Sequence, residues 1–255
     1  MKISFVIPAY NEEKSLPACL ESIYGEIKRN TGISFEVIVA DNASTDRTSE
    51  IAKKYPGTIV VLETEKGANR ARQAGFLKST GDLIASVDAD TILPEGWIKK
   101  AIGEFSKRSD LICLSGPFIY YDTSLPTRLL AKVFYFFGLM ISLINKHILK
   151  VCSMIQGGNL IVRRSALEKI GGFNTAIKFY GDDTDLARRL NGLGDVRFTF
   201  SLPIYASGRR LLGGGAVKTG LVYAANFLSV SYFKKPVSKT YSDFRKNPDG
   251  TYSKF

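Results

Sequence analysis

Histidine and cysteine are scarce in this chain of 255 residues, which has one histidine and three cysteines. Because His147 stands alone, a Ser–His or Cys–His nucleophilic system is disfavoured, and packing at a surface or interface explains this residue better. Cys19, Cys113 and Cys152 are odd in number, scattered and without the spacing of metal ligands. The sequence therefore predicts no disulfide framework and favours a reducing compartment.

Long apolar runs are also absent. The stretch from Met1 to Pro8 is too short for a signal peptide and lacks a small-residue cleavage site, so it predicts a buried strand. The most apolar stretch has only 13 uncharged residues, 133–145, between Lys132 and Lys146, whereas a spanning helix needs roughly 18 or more. This length predicts a re-entrant, interfacial or buried core helix and no transmembrane span.

Acidic residues are outnumbered, since 24 Asp and Glu face 35 Lys and Arg and give a formal net charge of +11. Such an excess implies an anionic partner, which is a membrane surface, a nucleic acid or a phosphorylated substrate. The hydrophobic share of 45% and the charged share of 23% are those of a soluble globular protein. At about 150 residues per domain, the length predicts one or two domains.

The first 90 residues alternate between strand and helix patterns. After a cap predicted at Asn11, apolar residues recur along one helix face at Leu16, Leu20, Ile23 and Ile27. The predicted strands are 3–8, 35–40, 58–62 and 83–87, and a further helix is predicted at 68–79. This order requires right-handed crossovers, so the predicted fold class is α/β with a largely parallel sheet.

Polar or acidic side chains follow three of these strands, in Ala9-Tyr10-Asn11, at Asp41 and in Asp88-Ala89-Asp90. Ligands bind beyond the carboxyl ends of parallel strands, so these groups are expected at one edge. Two carboxylates one residue apart can hold a hard divalent cation and leave positions open for substrate phosphates. Ordinary polar loops would explain any one of these groups, but less easily the carboxylate pair directly after a buried strand.

A second acidic group opens the helix predicted at 182–190. Helical spacing puts Asp183 on the inward side with Leu186 and Leu190, where it either complements the helix dipole or faces a cleft as a general base. Asp185 precedes Arg188 and Arg189 by three and four residues. It is therefore interpreted as an ion-paired surface residue.

Basic and glycine-rich segments supply candidate ligands for phosphate and sugar. Arg70 and Arg72 at a helix start, and Arg209 and Arg210 after Ser207-Gly208, suit a phosphate or else form a solvated basic surface. Gly157-Gly158-Asn159 allows close backbone approach and offers an amide to sugar hydroxyls, or else forms only a tight turn.

Taken in order, these motifs resemble those of family 2 glycosyltransferases of GT-A fold. The matching segments are 5–13, 41–46, 88–90, 158–159, 171–173 and 182–186, and the resemblance covers about residues 3–210. It implies a GT-A (Rossmann-like) domain with a nucleotide-binding half at 1–90 and an acceptor half at 91–210. An apolar insertion at 124–151 and a basic helical appendage at 211–255 complete the predicted organisation.

The resemblance also implies a reaction, in which a sugar moves with inversion from a nucleotide-diphospho-sugar to a glycan or lipid-linked acceptor, assisted by Mg²⁺ or Mn²⁺. A UDP-sugar is expected before a GDP-sugar. Asp183 matches the catalytic base, with Asp182 able to exchange roles with it, and Asp88 and Asp90 match the metal site. The implied donor-binding residues are Pro8, Ala9, Tyr10, Glu12, Asp41, Asn42, Arg72, Asp88, Ala89, Gly158, Asn159, Arg209 and Arg210.

Two positions depart from the family pattern. Asn42 stands where a second Asp is common, which weakens any prediction of the nucleobase, and Asp182 stands where a Glu is usual. A nucleotidyltransferase is an alternative, but it would need a glycine-rich basic loop after the first strand, where the acidic segment 9–13 stands. A non-catalytic basic module is another, although no nucleic-acid motif is present and no nucleic-acid partner is expected.

The insertion and the basic appendage together predict a location. The segments 124–151 and 211–255 are expected to dock the protein peripherally on anionic lipid. The predicted location is therefore the cytoplasm, at the inner face of the cell membrane.

Overall fold

The structure is a computed structural model that describes residues 1–177 and 179–238, together with the backbone of two strands at 242–246 and 252–254. The strands are β1 (Lys2–Ala9), β2 (Ser34–Asp41), β3 (Thr58–Leu62), β4 (Leu83–Val87), β5 (Thr91–Ile92), β6 (Leu111–Ser115), β7 (Phe118–Tyr120), β8 (Asn159–Arg163), β9 (Asp195–Phe198), β10 (Ile204–Ala206), β11 (Ser242–Lys246) and β12 (Tyr252–Lys254). The helices are α1 (Leu16–Arg29), α2 (Thr48–Lys53), α3 (Ala68–Lys78), α4 (Trp97–Lys107), α5 (Leu125–His147), α6 (Arg164–Lys169), α7 (Asp182–Leu190), α8 (Arg209–Gly214) and α9 (Ala216–Phe233).

Seven strands form the main sheet, in the order β3-β2-β1-β4-β8-β6-β9. All neighbours pair in parallel except β8, which runs antiparallel between β4 and β6. The predicted α/β class with a mostly parallel sheet is confirmed. A second sheet, β5-β10-β7, lies beside the carboxyl end of β4, because β5 follows the Asp88–Asp90 turn directly.

Apolar side chains cover the sheet on both faces, as a parallel sheet requires. Alternation along β1 sends Phe5 and Ile7 into one core with α1, α2 and α4, and sends Val6 into the other with α3, α6 and α7. With both faces covered, the edge at the carboxyl ends of the strands is where a ligand can approach the sheet.

The first helix starts later than the sequence predicts. Asn11 adopts a left-handed conformation with φ 51°, and α1 begins only at Leu16, with Pro17 in its first turn. The carbonyl of Glu12 accepts the amides of Ser15 and Leu16. Residues 10–15 therefore form a loop at the end of β1, which keeps the Glu12 side chain out of the helix and directs it toward Arg209.

Helix α5 corrects the interpretation of the apolar stretch. It has 23 residues, a mean hydropathy of 1.6 in its most apolar window and only 11% of that window buried, so it is not a core helix. By length and composition it could cross a membrane, which the count of 13 uncharged residues had excluded. Its buried side chains are Ser142, whose hydroxyl accepts the Met154 amide at 2.7 Å, and Asn145, whose Oδ1 accepts the Tyr232 hydroxyl of α9 at 2.6 Å.

The remaining expectations concern the cysteines, the histidine and the carboxyl-terminal segment. The three cysteines are free and buried, and His147 is exposed at the end of α5. Helices α8 and α9 overlap the first part of the predicted helical appendage, 211–255, but β11 and β12 lie in its last part, where the prediction of helix is wrong. Residues 239–241, 247–251 and 255 lie outside the described residues.

Candidate active site

A cleft of about 730 Å³ opens at the carboxyl ends of β1 and β4 and contains most of the predicted site residues. Its polar part is lined by Pro8, Ala9, Tyr10, Glu12, Asn42, Arg72, Asp88, Ala89, Asp90, Gly158, Asp182, Asp183, Arg209 and Arg210. The topology brings these groups together because parallel strands end at the same edge and α3 and α7 begin there. Asp41 and Asn159 are the predicted site residues that do not line the cleft.

Arg72 is the centre of the acidic cluster. Its guanidinium donates to Asp88 Oδ1 and to Asp182 Oδ2, both at 2.9 Å, and to Asn69 Oδ1 at 3.3 Å. The residue is only 6% exposed. Its cation lies between two carboxylates and holds them in position, and its contact with a diphosphate stays a prediction.

The first turn of α7 presents Asp182 and Asp183 to the cleft. Burial, with the neighbouring Asp182 carboxylate, raises the pKa of Asp183 to about 8, although Arg72 opposes the shift. Burial also raises the pKa of Asp182, against the effect of its ion pair with Arg72. The helix starts after Gly181, whose φ of 82° favours glycine and whose Cα faces Val230 of α9 too closely for a Cβ. Both carboxylates therefore meet the cleft at a position fixed by α9.

Two glycines let the backbone touch these carboxylates. A Cβ on Gly157 would overlap Asp183 Oδ1, and a Cβ on Gly158 would overlap the Asp88 carboxylate. The Ser86 hydroxyl donates to the Gly157 carbonyl at 2.7 Å and fixes this segment against β4. The predicted close backbone approach at Gly158 is thus directed at a carboxylate of the protein.

Asp90 lies on the other side of the turn and pairs with Arg209. Arg209 Nη2 is 2.9 Å from Asp90 Oδ2, and the same guanidinium donates to Glu12 at 2.5 and 3.0 Å. Burial raises the pKa of Asp90 to about 6, with Glu12 and Asp88 adding to the shift and Arg209 opposing it. Arg209, the first residue of α8, therefore places a positive charge next to the Asp90 carboxylate.

The end of the cleft at β1 is built by Tyr10, Lys66 and Asn42. Lys66 Nζ donates to the Tyr10 hydroxyl at 2.8 Å and lies 4.5 Å from the centre of its ring. The Asn42 amide donates to the carbonyls of Glu63 and Glu65, at 3.2 and 2.8 Å, and its oxygen accepts the Gly67 amide at 2.7 Å. An aspartate could not donate, which explains why an asparagine occupies this position and shapes the loop.

Asn159 and Asp41 have structural partners. The Asn159 side chain is fully buried, donates to the Leu202 carbonyl at 2.9 Å and accepts from Trp97 Nε1 at 3.2 Å. Its contact with the donor stays a prediction. Asp41 is 4% exposed and accepts from the Ser44 amide at 3.0 Å and from the Ser49 hydroxyl. It therefore stabilises its own turn, and its contact with a base or ribose stays a prediction.

A surface position is predicted for Asp185 and is one of two alternatives for Arg70, and the structure agrees with it only for Arg70. Asp185 pairs with Arg188 at 3.0 Å and Arg189 at 2.7 Å, as its spacing predicts, but it is buried and not a surface residue. Arg70 pairs with the exposed Glu65 at 2.9 Å, away from the cleft, which agrees with a solvated face.

The donor atoms near Asp88 and Asp90 decide whether a divalent cation fits. Within residues 1–177 and 179–238, no three His, Cys, Asp or Glu side chains converge to hold an ion by themselves. Mg²⁺ is commonly bound by one or two carboxylates plus substrate phosphates. Two adjacent carboxylates at an open cleft match that pattern, with the remaining ligands supplied by a bound diphosphate, so the residues fit the cation.

Other residues that line the cleft were not predicted from the sequence. Lys66, Phe179 and Tyr180 line the cleft, as does one face of α5 and one of α9. The Arg210 guanidinium lies 4.1 Å from the centre of the Phe179 ring. Of these residues, only Lys66 could have been predicted from the sequence, since it precedes Gly67, the residue directly before the predicted helix at 68–79.

Sequence comparisons place the chain among known enzymes. The profile described as Glycosyl transferase family 2 matches residues 4–171. A dolichol-phosphate mannosyltransferase of Pyrococcus furiosus is 34% identical over 115 residues, which are 44% of this chain and 32% of that protein. An undecaprenyl-phosphate 4-deoxy-4-formamido-L-arabinose transferase of Serratia proteamaculans is 34% identical over 117 residues, 44% of this chain and 36% of that protein. The matches thus span about a third of these relatives.

Solved structures share the fold. A mannosyltransferase from Pyrobaculum calidifontis, in complex with GDP-Man and Mn²⁺, superposes with a TM-score of 0.67 at 21% identity and covers 91% of this chain and 63% of that one. Glucosyl-3-phosphoglycerate synthase from Mycobacterium tuberculosis, in complex with Mn²⁺, UDP and phosphoglyceric acid, gives 0.60 at 23% identity, with 100% and 86% covered. At these identities the likeness concerns the arrangement of strands and helices.

Proposed function

The chain belongs to glycosyltransferase family 2, and on that premise we propose that it moves a sugar from a nucleotide-diphospho-sugar to an acceptor hydroxyl, with inversion at the anomeric carbon. The observation that carries the proposal is the convergence of Asp88, Asp182 and Asp183 around the buried Arg72, in the same cleft as Asp90. Family membership also disfavours the two alternative functions, a nucleotidyltransferase and a non-catalytic basic module.

Asp183 is assigned as the general base. Asp182 accepts a charge-assisted hydrogen bond from Arg72 at 2.9 Å, which stabilises its anion and weakens it as a base. Burial raises the pKa of Asp183 to about 8, and a base is most effective when its pKa lies near the working pH. Asp183 would take the proton of the acceptor hydroxyl as that oxygen attacks the anomeric carbon from the face opposite the leaving diphosphate.

The donor nucleotide is assigned to the end of the cleft at β1. The Tyr10 ring, held by Lys66, offers a face on which a nucleobase can stack. Pro8 and Ala9 supply a close backbone wall beside it, and Asn42 keeps the facing loop in place. The sugar and diphosphate would then extend past Asp88 and Ala89 toward α7. The UDP, UDP-glucose and GDP-Man in neighbouring structures are consistent with a UDP- or GDP-sugar.

Asp88 and Asp90 would hold Mg²⁺ or Mn²⁺, which would neutralise charge growing on the leaving diphosphate. Arg209 places a positive charge 2.9 Å from Asp90. When the diphosphate enters, its oxygens would compete with Glu12 and Asp90 for this guanidinium. Arg209 and its neighbour Arg210 are therefore assigned to the leaving group, where a preorganised positive charge favours the transition state.

A lipid-linked acceptor and contact with the inner face of the cell membrane complete the proposal. Relatives are named for transfer to dolichol-phosphate and undecaprenyl-phosphate. Helix α5 exposes Phe136, Met140, Leu143 and Ile144, which are 41–55% accessible to solvent. An exposed apolar helix on a protein of charge +11 suits adsorption to anionic lipid.

A donor screen tests the proposed function. Titration calorimetry with UDP-, GDP- and dTDP-sugars, each with and without Mn²⁺, should give binding by one nucleotide series that strengthens when Mn²⁺ is present. Absence of binding by every nucleotide-sugar would contradict the proposal. Binding that ignores Mn²⁺ would retain the donor assignment but remove the cation from it.

A further inference from the structure

The cleft continues beyond the carboxylates into an apolar chamber between α5 and α9. Ala131, Phe134 and Ile141 line it from α5, and Gly220, Ala224 and Phe227 line it from α9. Their spacings of three, four and seven put each set on one face of its helix. The lined part of α5 runs from Thr127 to Ile141, which at 1.5 Å per residue is about 20 Å.

The chamber belongs to the packed fold. Tyr232 of α9 donates to the buried Asn145 of α5 at 2.6 Å, and Gly220 lies so near Phe134 that a Cβ would come within 2.7 Å of the ring. Val230 of α9 packs on Gly181 at the start of α7. Protein interiors seldom leave voids larger than a water molecule, so a cleft of about 730 Å³ with an apolar extension has the dimensions of a ligand site.

The chamber leads directly to the proposed base. Tyr223 of α9 meets Tyr180 with ring centres 5.8 Å apart, and Tyr180 is followed at once by Gly181, Asp182 and Asp183. Arg210, which stacks on Phe179, lies in the same cleft. Carboxylate, cation and apolar walls therefore line one cleft, and this combination matches a hydroxyl-bearing headgroup, an anionic link and a hydrocarbon chain.

We propose that the chamber between α5 and α9 binds the hydrocarbon chain of an amphiphilic acceptor and so holds its hydroxyl-bearing headgroup beside Asp183. The role of Asp183 rests on the proposed function, whereas chain binding does not. A headgroup that presents a hydroxyl suits the proposed base, because Asp183 would take the proton of that hydroxyl.

A binding experiment on the full chain tests this directly. The probe is a dansyl-labelled dodecyl glucoside, and the same labelled glucoside without the chain is its counterpart. Ala131→Trp fills the chamber, and Leu129→Trp, on the outer face of the same helix and 52% exposed, is the matched control. Ala224→Phe fills the chamber from α9 if the first variant does not fold.

The expected result is binding of the dodecyl probe at least tenfold tighter than of its chain-free counterpart. Ala131→Trp or Ala224→Phe should weaken the dodecyl probe at least fivefold, and Leu129→Trp should stay within twofold. Equal affinity for the two probes, or an effect as large in Leu129→Trp, overturns the proposal. Displacement by short-chain phosphatidylglycerol as effective as by unlabelled dodecyl glucoside assigns the chamber to a membrane lipid and also overturns it.

Calorimetry on the same preparations separates this inference from the proposed function. Normal nucleotide-sugar binding with equal affinity for the dodecyl probe and its chain-free counterpart would contradict only the proposed role of the chamber. A clear preference for the chain without nucleotide-sugar binding would contradict the glycosyltransferase reaction and leave the chamber supported.

Discussion

Arg72 Nη1 donates to Asp182 Oδ2 at 2.9 Å, although the two residues are 110 positions apart in the chain. Arg72 belongs to α3 and Asp182 begins α7, so one buried ion pair joins the part of the chain before β4 to the helix that carries the proposed base. The other arm of the same guanidinium holds Asp88 at 2.9 Å. The relative positions of the proposed metal ligand Asp88 and the proposed base therefore depend on one cation.

Removing that cation should destabilise the fold in a pH-dependent way. Arg72→Met leaves the Asp88 and Asp182 carboxylates near each other without a counter-charge, and breaking such a buried pair costs about 3 to 5 kcal/mol. The cost should be largest at pH 8 and should shrink toward pH 5, because burial raises the pKa of Asp182, so the folded variant can bind a proton there that the unfolded chain releases. Urea unfolding at both pH values measures it.

Arg70→Met is the control for this experiment, because Arg70 makes only the exposed pair with Glu65. It should change the free energy of unfolding by about 1 kcal/mol or less. Equal losses in the two variants would show that the buried pairs do not organise the site.

Asp183→Asn should separate binding from chemistry. The amide cannot take a proton, so transfer should fall by roughly 10² to 10⁴-fold, while the affinity for the nucleotide-sugar changes little. Calorimetry and a discontinuous transfer assay measure the two effects. Asp182→Asn, which weakens the pair with Arg72, should lose more stability and less transfer than Asp183→Asn does. Full activity in Asp183→Asn would remove the assignment of the base.

The raised pKa of Asp183 also predicts how stability responds to pH. Between its ordinary value of 3.8 and about 8, the folded chain binds a proton at this carboxyl that the unfolded chain releases. Stability from this group is therefore highest below pH 4 and falls as pH rises to 8, by at most about 1.4 kcal/mol per pH unit. Metal-free unfolding curves at pH 6 and pH 8 should show a steeper fall in the wild type than in Asp183→Asn, and identical slopes would contradict the burial of this carboxyl.

Asp90→Ala should disturb the cation selectively. Nucleotide-sugar affinity measured with Mn²⁺ should weaken at least about tenfold, because even the loss of an outer-shell partner costs that much at metal sites. Affinity without Mn²⁺ should change far less. Asp82→Ala, an aspartate with a side chain 68% exposed beside the amino terminus, is the control. An unchanged Mn²⁺ dependence in Asp90→Ala would count against this ligand.

Helix α5 predicts adsorption to anionic vesicles at low salt. Replacing Phe136 and Met140 together by serine should reduce the bound fraction by about tenfold or more, since burial of each large apolar side chain contributes roughly 1.5 to 3 kcal/mol. Leu62→Ser is the control, because Leu62 is also exposed but ends β3, at the opposite edge of the main sheet. Co-sedimentation measures the fractions, and no binding by the wild type would remove the membrane contact.

The sequence predicts the part of the site that local pattern controls. Asp88 and Asp90 follow an unbroken apolar strand, and parallel strands must end at a common edge, so their position near β1 could be derived. Helical spacing correctly predicted that Asp183 lies on the inward side of α7, where it lines the cleft. The family resemblance then supplied roles that spacing alone left open, and family membership is confirmed.

Contacts between distant residues could not be derived in the same way. Arg72 and Arg209 carry the same charge as any surface arginine, and nothing local shows that the latter reaches Glu12, 197 positions away. Asn159 was assigned to a ligand because its amide suits one, but Leu202 and Trp97 satisfy it in the core. The apolar residues of α5 are compatible with a core helix, a membrane-bound helix or the wall of a chamber. Only the packing of α9 against α5 shows which of these residues face the chamber.

The stereochemistry of transfer tests the central claim most directly, because attack by a hydroxyl activated by Asp183 requires the diphosphate to leave from the opposite face. Proton NMR of the first product formed from an α-linked nucleotide-sugar, recorded before any anomeric exchange, reads this outcome. The account predicts a β-configured product. An α-configured product would contradict it.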